Sequence, residues 1–88
     1  MQRQQAALEL SKEVELMLVV GGRNSANTRR LAEVCASTGV AVRHIETAAE
    51  IQPDWLAGRQ RVGITAGAST PQWVIDEVAS KLKEEARL

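Results

Sequence analysis

Aromatic residues are almost absent from this sequence, which contains two tryptophans and neither phenylalanine nor tyrosine. A surface that stacks the bases of single-stranded nucleic acid needs several such side chains, so proteins of that class are excluded. Eleven basic residues balance eleven acidic ones, and the chain therefore lacks the positive field that attracts nucleic acid or an anionic membrane. We expect an aliphatic core, no nucleic-acid partner and no membrane partner.

Cysteine and long apolar runs are scarce as well. A single cysteine cannot form a disulfide framework, so a reducing cytoplasm is the expected compartment. No apolar run approaches the roughly 20 residues that a membrane span requires, and residues 1–5 lack the apolar core of a secretion signal. The chain has 88 residues, which suits one small domain, and we predict a single unit over residues 1–88.

Helical and strand-like segments alternate along the chain. Three helices are predicted: the first over residues 3–12, the second from a cap at Asn24 or Ser25 to Gly39, and the third over residues 71–86. Strands are predicted over residues 16–20, 40–45 and 61–65, and short helical turns within residues 47–58. Such alternation implies parallel strands joined by right-handed crossovers. We therefore predict an α/β fold, a three-layer αβα unit with a small parallel sheet of three or four strands.

The start of the last predicted helix is marked by two residues. Thr70 is suited to the N-cap and Pro71 to the first helical position, where a missing N–H does no harm. The residues expected on or near the buried face of this helix are Trp73, Val74, Val78 and Leu82. Both tryptophans, Trp55 and Trp73, are interpreted as packing anchors.

Two loops rich in glycine and small polar residues follow the first and third predicted strands. They cover residues 21–27 and 66–70 and contain Ser25, Asn27 and Ser69. In open parallel sheets, ligands bind beyond the carboxyl ends of the strands, where helix N-termini offer unpaired N–H groups. Two adjacent sites of this kind suit a phosphate or a diphosphate, but the same residue types are also common helix caps. Local chemistry leaves both interpretations open.

Other chemistry is poorly supported by the sequence. Neither loop has the G-x-G-x-x-G dinucleotide fingerprint or the Gly-Lys-Ser/Thr ending of a nucleoside-triphosphate loop. His44 has no second histidine or cysteine at a metal-ligand spacing, Cys35 lies on an apolar helix face, and Arg29 and Arg30 are interpreted as a solvated helix face. We predict no catalytic residue and no metal site within this chain.

Both loops belong to longer motifs. Residues 19–31 read VVGGRNSANTRRL, and residues 62–71 read VGITAGASTP. Together with residues 2–4, 44–46 and 55–56, these motifs make the whole chain resemble the C-terminal third of the 4-hydroxy-3-methylbut-2-enyl diphosphate reductases, known as the LytB or IspH family.

The resemblance implies an oxidoreductase of isoprenoid biosynthesis. Members of this family catalyse the last step of the methylerythritol phosphate pathway, in which an allylic hydroxyl is removed reductively to give isopentenyl and dimethylallyl diphosphate. They use an iron–sulfur cluster (4Fe–4S) and two electrons, commonly from ferredoxin or flavodoxin. Three similar α/β units surround a central pocket, so the implied partners are an allylic diphosphate and the remaining domains of the reductase.

The resemblance also assigns residues. By position, the family's diphosphate-binding groups correspond to Ser25, Ala26, Asn27 and Ser69, and Ala26 replaces a second serine, so that only its backbone N–H is left to serve. The family's cluster is held by three cysteines, none of which matches Cys35, and its histidines and catalytic glutamate precede this part of the sequence. We expect the 88-residue chain alone to hold no cluster and to be inactive as a reductase.

Two other functions stay open from the sequence. A detached unit of the same fold could serve as a non-catalytic interaction or self-association module, which an unusually large apolar patch would favour. A small sugar-phosphate or flavin-phosphate binder shares the anion chemistry, and a closed pocket larger than a diphosphate requires would favour it.

Overall fold

Helices and strands alternate through the whole described part of the chain. A computed structural model describes residues 2–86, and their side chains from residue 4 to residue 85; the ends of the predicted unit, Met1, Arg87 and Leu88, lie outside the described residues. The elements are α1 (Gln2–Ser11), β1 (Leu16–Val20), α2 (Ala26–Ala36), β2 (Ala41–Ile45), two 3₁₀ helices (Ala48–Glu50 and Pro53–Leu56), β3 (Val62–Ala66) and α3 (Gln72–Ala86).

The strands form a parallel sheet with the order β2-β1-β3. Val20, the last residue of β1, lies opposite Ile45 of β2 and Ala66 of β3, so all three strands end at the same edge. We call this the carboxyl edge of the sheet. The loops that leave β1 and β3 are therefore neighbours in space although about 40 residues of sequence separate them.

The central strand β1 is covered on both faces, because all five of its residues are fully buried. Leu16, Leu18 and Val20 point into a cluster that includes Val78 of α3. Met17 and Val19 point to the opposite face, where they form a second cluster with three buried residues of the helices, Ala7, Leu31 and Cys35. Helices thus lie on both sides of the sheet, which confirms the predicted three-layer α/β fold with three strands.

The predicted elements agree closely with the observed ones. The first strand is correct at both ends, and the second and third begin one residue later than predicted, at Ala41 and Val62. The short helical turns expected within residues 47–58 are the two 3₁₀ helices. Within residues 2–86, no helix is both long enough and apolar enough to span a membrane.

The prediction for Trp73 is wrong, because 64% of this residue is exposed. Val74 and Val78 lie one helical turn apart and fill the face of α3 that packs on the sheet. Trp73 precedes Val74 by one residue, which rotates it by about 100° out of that face. The other tryptophan, Trp55, is half-buried against the same core cluster, and the Arg43 guanidinium lies 5.3 Å from its ring centre.

The predicted cap of α3 also needs correction. The helix begins at Gln72, and the Pro71 carbonyl accepts the first helical hydrogen bonds, from Val74 at 3.1 Å and Ile75 at 3.5 Å. Pro71 therefore occupies the N-cap position that was assigned to Thr70. The Thr70 hydroxyl instead donates to the Val20 carbonyl at 3.1 Å, which ties the start of α3 to the end of β1.

The contrast between Trp73 and Val74 gives a test of this helix orientation. Val74→Ala should lower the free energy of unfolding by about 1–3 kcal/mol, because it removes buried apolar surface. Trp73→Ala should change it by less than about 0.5 kcal/mol, because the larger side chain is mostly in water. Urea denaturation of both variants measures the difference, and equal losses would contradict the orientation of α3.

Candidate anion-binding site

Two neighbouring loops form the candidate site at the carboxyl edge. The first loop (residues 21–25) joins β1 to α2, and the second loop (residues 67–71) joins β3 to α3. The Gly67 N–H donates to the Val20 carbonyl at 3.0 Å, so the second loop starts in contact with the end of β1. Each loop leads directly into the N-terminus of a helix of more than ten residues.

Ser25, one of the two predicted candidates, is the N-cap of α2. Its hydroxyl oxygen accepts from the Thr28 N–H at 3.2 Å, and its carbonyl accepts from the Arg29 N–H at 3.0 Å. The Ser25 hydroxyl hydrogen is still available to a ligand, because the cap uses the oxygen only as an acceptor. Ala26 follows as the first helical residue, where a backbone N–H has no partner within the helix.

Asn27, in the first turn of α2 immediately after the first loop, is bonded directly to the second loop. Its Oδ1 accepts from the backbone N–H of Ala68 at 2.9 Å, across 41 positions of sequence. This bond fixes the amide, so that its Nδ2 group carries the two remaining donor hydrogens. Ser69 is the next residue after Ala68 and is exposed. The structure therefore brings Ser25, Ala26, Asn27 and Ser69 to one edge of the sheet, with helix N-termini behind them.

Thr28 lies beneath both loops and was not singled out by the sequence. It is fully buried, and within the described residues its Oγ1 has no hydrogen-bond partner. A Cβ atom added to Gly21 would lie 2.4 Å from Thr28 Oγ1, and one added to Gly67 would lie 2.2 Å from the same oxygen. Both loops thus touch one side chain through their glycines. The signal was present in the sequence as a glycine at the start of each loop.

An arginine and two glutamates hold the first loop against the residues that follow β2. The Glu46 carboxylate accepts from the Arg23 backbone N–H and from Arg23 Nη1, each at 3.0 Å. Arg23 Nη2 donates to Glu50 Oε1. The other oxygen of Glu50 accepts from the N–H groups of Glu46 at 2.8 Å and Thr47 at 3.1 Å. The charge of Arg23 is therefore shared between two carboxylates.

These contacts set the ionisation of Glu50. Burial raises the pKa of its carboxyl, but the hydrogen bonds from Arg23 and from the backbone of Glu46 and Thr47, with the charge of Arg23, outweigh burial and bring the pKa below its ordinary value. The hydrogen bond to Glu50 in turn raises the pKa of the Arg23 guanidinium.

Three other residues considered in the sequence, His44, Arg29 and Arg30, are assigned no contact with a ligand. His44 is half-buried on β2, and its Nε2 lies 3.0 Å from the Gly21 carbonyl oxygen, which supports the first loop. Arg29 and Arg30 are exposed on α2, as predicted for a solvated face. Within residues 2–86, no group of three or more histidine, cysteine or acidic side chains is arranged to hold a metal ion.

The described residues do not fit an iron–sulfur cluster. Such clusters are held mainly by cysteine thiolates, and the single cysteine, Cys35, is fully buried between α1 and α2. Its thiol lies 4.0 Å from the Ala7 carbonyl, in the layer formed by α1 and α2 and not at the carboxyl edge of the sheet. No redox chemistry is therefore assigned to the side chains of this chain.

Comparison with known proteins places this architecture in a family. A family model described as "LytB protein" matches residues 1–83 of the chain. The chain belongs to the LytB family. This membership confirms the resemblance found in the two loop motifs.

The related proteins are 4-hydroxy-3-methylbut-2-enyl diphosphate reductases. The chain is 62% identical over 82 residues to the enzyme of Pelobacter propionicus and 49% identical over 82 residues to that of Aquifex aeolicus. These matches cover 93% of this chain but 29% and 28% of the respective relatives. The chain thus spans less than a third of the length of these curated relatives.

Solved structures agree with this assignment. The structure of (E)-4-hydroxy-3-methyl-but-2-enyl diphosphate reductase, the terminal enzyme of the non-mevalonate pathway, superposes with a TM-score of 0.91 and 49% identity over 93% of this chain and 29% of that one. The reductase of Plasmodium falciparum gives a TM-score of 0.81 over 93% of this chain and 25% of its own. At 23% identity, this second similarity concerns the fold alone.

The contact between Thr28 and Gly67 can be tested by a double-mutant cycle. Gly67→Ala should cost about 1–3 kcal/mol of unfolding free energy, because the new methyl group overlaps the Thr28 hydroxyl. In a Thr28→Ala background, the same substitution should cost less than about 1 kcal/mol, since the overlapping atoms are gone. Gly22→Ala is the matched control in the first loop, where the nearest atom to the new Cβ is 3.9 Å away. An equal cost of Gly67→Ala in both backgrounds would rule out the contact.

The ionisation of Glu50 predicts a pH dependence of stability. The ordinary pKa of a glutamate carboxyl is 4.5, and folding lowers the pKa of Glu50 below this value. The ionised carboxyl therefore stabilises the protein at pH values above 4.5, and this contribution is lost as the pH falls through the lowered pKa. Between about pH 6 and about pH 3, the Glu50→Gln variant should therefore lose less stability than the unmodified chain. Thermal denaturation across this range measures the two profiles, and parallel curves would contradict the role of Glu50.

Proposed function

We propose that this chain is the C-terminal, diphosphate-binding unit of a 4-hydroxy-3-methylbut-2-enyl diphosphate reductase, with residues 1–88 as one unit. Three facts support this function: its relatives are such reductases, it covers less than a third of their length, and its two motif loops meet at one edge. The hydrogen bond from Ala68 to Asn27 is the observation that carries the proposal, because it makes one site from two loops.

The chemistry of the site suits a multiply charged anion. The hydroxyls of Ser25 and Ser69 and the Asn27 Nδ2 group are neutral donors, and the N–H groups of Ala26 and Gln72 belong to the starts of α2 and α3. The Thr70 N–H, which the sequence motif suggested, is taken by the Gly67 carbonyl. Each helix start adds about half a positive charge to these donors. Together they would neutralise the diphosphate and fix its direction, which orients the attached allylic group for reaction elsewhere in the enzyme.

The reaction itself requires the rest of the enzyme. Reductive removal of the allylic hydroxyl depends on an iron–sulfur cluster and on electrons from ferredoxin or flavodoxin, and this chain has one buried cysteine. The role that we assign to the chain is to bind and orient the substrate. By itself, it should bind diphosphate weakly and show no reductase activity.

Titration with inorganic diphosphate tests the proposal. In ¹H–¹⁵N NMR spectra, the amides of Ser25, Ala26, Asn27 and Ser69 should shift together at roughly millimolar ligand, which corresponds to about −4 kcal/mol of binding free energy. Amides at the amino edge of the sheet should not shift. The absence of shifts in both loops would refute diphosphate binding by the isolated chain.

Asn27→Asp sharpens this test. The aspartate keeps an oxygen for the Ala68 N–H but replaces the Nδ2 donor by negative charge, so the affinity for diphosphate should fall by about tenfold or more while the fold is retained. Ser80→Asp, on the exposed face of α3, adds the same charge outside the loops and is the matched control. Equal affinities for the two variants would argue against a ligand at Asn27.

One observation supports the alternative of a self-association module, namely the exposed Trp73. A dimer formed through this residue would appear in sedimentation velocity at increasing concentration and would be lost in Trp73→Ala. A single exposed aromatic side chain is a smaller feature than the apolar patch that such an interface needs, so we favour diphosphate binding.

A further inference from the structure

The first loop, which we propose binds an anion, has two carboxylates beside it. Glu46 Oε2 accepts from the Arg23 backbone N–H at 3.0 Å and would lie 3.9 Å from a Cβ on Gly22. Glu50 contacts the N–H groups of Glu46 and Thr47, so its carboxylate is fixed next to the first. Both carboxylates contact Arg23, which precedes Ser25 by two residues.

Such charges oppose the binding of a diphosphate. Repulsion between exposed charges extends over about 10 Å at an ionic strength of about 0.1 M, which covers the separation between adjacent loop residues. Two carboxylates without a counter-charge would therefore weaken the attraction supplied by the helix N-termini. A site for anions at this position therefore needs a counter-charge beside those carboxylates.

Arg23 supplies this counter-charge, which it shares between the two carboxylates. Its Nη1 lies 3.0 Å from Glu46 Oε1, and its Nη2 donates to Glu50 Oε1. Both terminal nitrogens of the guanidinium thus face carboxylates of the protein. By contrast, Arg29 and Arg30 form no ion pair within the described residues and are exposed on α2.

We propose that Arg23 is a positioning residue of the anion site, which offsets one of the two negative charges of Glu46 and Glu50 and does not itself bind the ligand. This inference rests on the proposed function, because it concerns the charge around the same two loops. It differs from the simpler interpretation of an arginine beside an anion site, in which the guanidinium would contact the phosphate directly.

Variants that remove the charge of Arg23 alone, or together with the charges of Glu46 and Glu50, distinguish an electrostatic role of Arg23 from direct contact with the ligand. With inorganic diphosphate at low salt, Arg23→Ala should bind about three- to tenfold more weakly than the unmodified chain. The triple variant Arg23→Ala/Glu46→Gln/Glu50→Gln should bind at least as tightly as the unmodified chain, because it removes both carboxylates together with their counter-charge. If the triple variant stays as weak as Arg23→Ala, the guanidinium binds the ligand and the proposal is wrong.

Two controls accompany this comparison. Lys12→Ala removes one positive charge at the end of α1, where the lysine pairs with Glu9, and should leave the affinity unchanged. The deficit of Arg23→Ala should shrink as salt is raised to about 0.5 M, because exposed charges are then screened. A deficit that does not depend on salt would overturn the electrostatic role. Arg23→Gln serves as a second variant if the alanine variant does not fold.

A measurement without diphosphate keeps this inference separate from the proposed function. Paramagnetic relaxation of loop amides by a cationic and an anionic nitroxide reports the local potential. At Ser25 and Asn27, Arg23→Ala should increase the effect of the cationic probe relative to the anionic one, and the triple variant should reverse the change. No shift in this ratio would refute the role of Arg23. If the ratio of the probe effects changes as expected but the unmodified chain does not bind diphosphate, only the proposed function is refuted.

Discussion

The burial of β1 between two parallel partners is the constraint on which the rest of the structure depends. Leu16–Val20 is enclosed by a strand on each side and by helices on each face. All three strands run in the same direction, which brings their carboxyl ends to a common edge. The loops after β1 and β3 therefore start side by side, and the chemistry at that edge follows from what the loops contain.

Contact between the loops depends on small groups at defined positions. Thr28 fills the space beneath Gly21 and Gly67, and Asn27 spans the gap to Ala68. The buried Thr28 hydroxyl, which has no partner within residues 2–86, costs stability that an apolar side chain of the same shape would not cost. The hydrophobic core thus sets the position of the polar edge, and Gly21 and Gly67 allow both loops to lie against Thr28.

The elements that were predictable from the sequence are those with local signals. The uninterrupted apolar run of β1 predicted a strand covered on both faces, and the cap of α2 was predicted as Asn24 or Ser25, of which Ser25 is the observed one. Trp73 was misplaced because its residue type suggested burial, whereas the face of α3 that packs on the sheet is formed by Val74 and Val78. The interval of one residue between Trp73 and Val74 is enough to turn a side chain from core to solvent.

The details of the site could not be predicted in the same way, because they join distant residues. Contacts from Arg23 to Glu46 and from Asn27 to Ala68 cross 23 and 41 positions, and no periodicity or cap marks such a pair. The family motifs identified the loops, while the charge balance between Arg23 of the first loop and the glutamates that follow β2 required coordinates.

Burial of Cys35 between α1 and α2 has a practical consequence. As the sole thiol of the chain, it is shielded from alkylating reagents as long as the two helices stay together. Its rate of modification would therefore report how often this helical layer separates, and native-state opening can be followed without introducing any label.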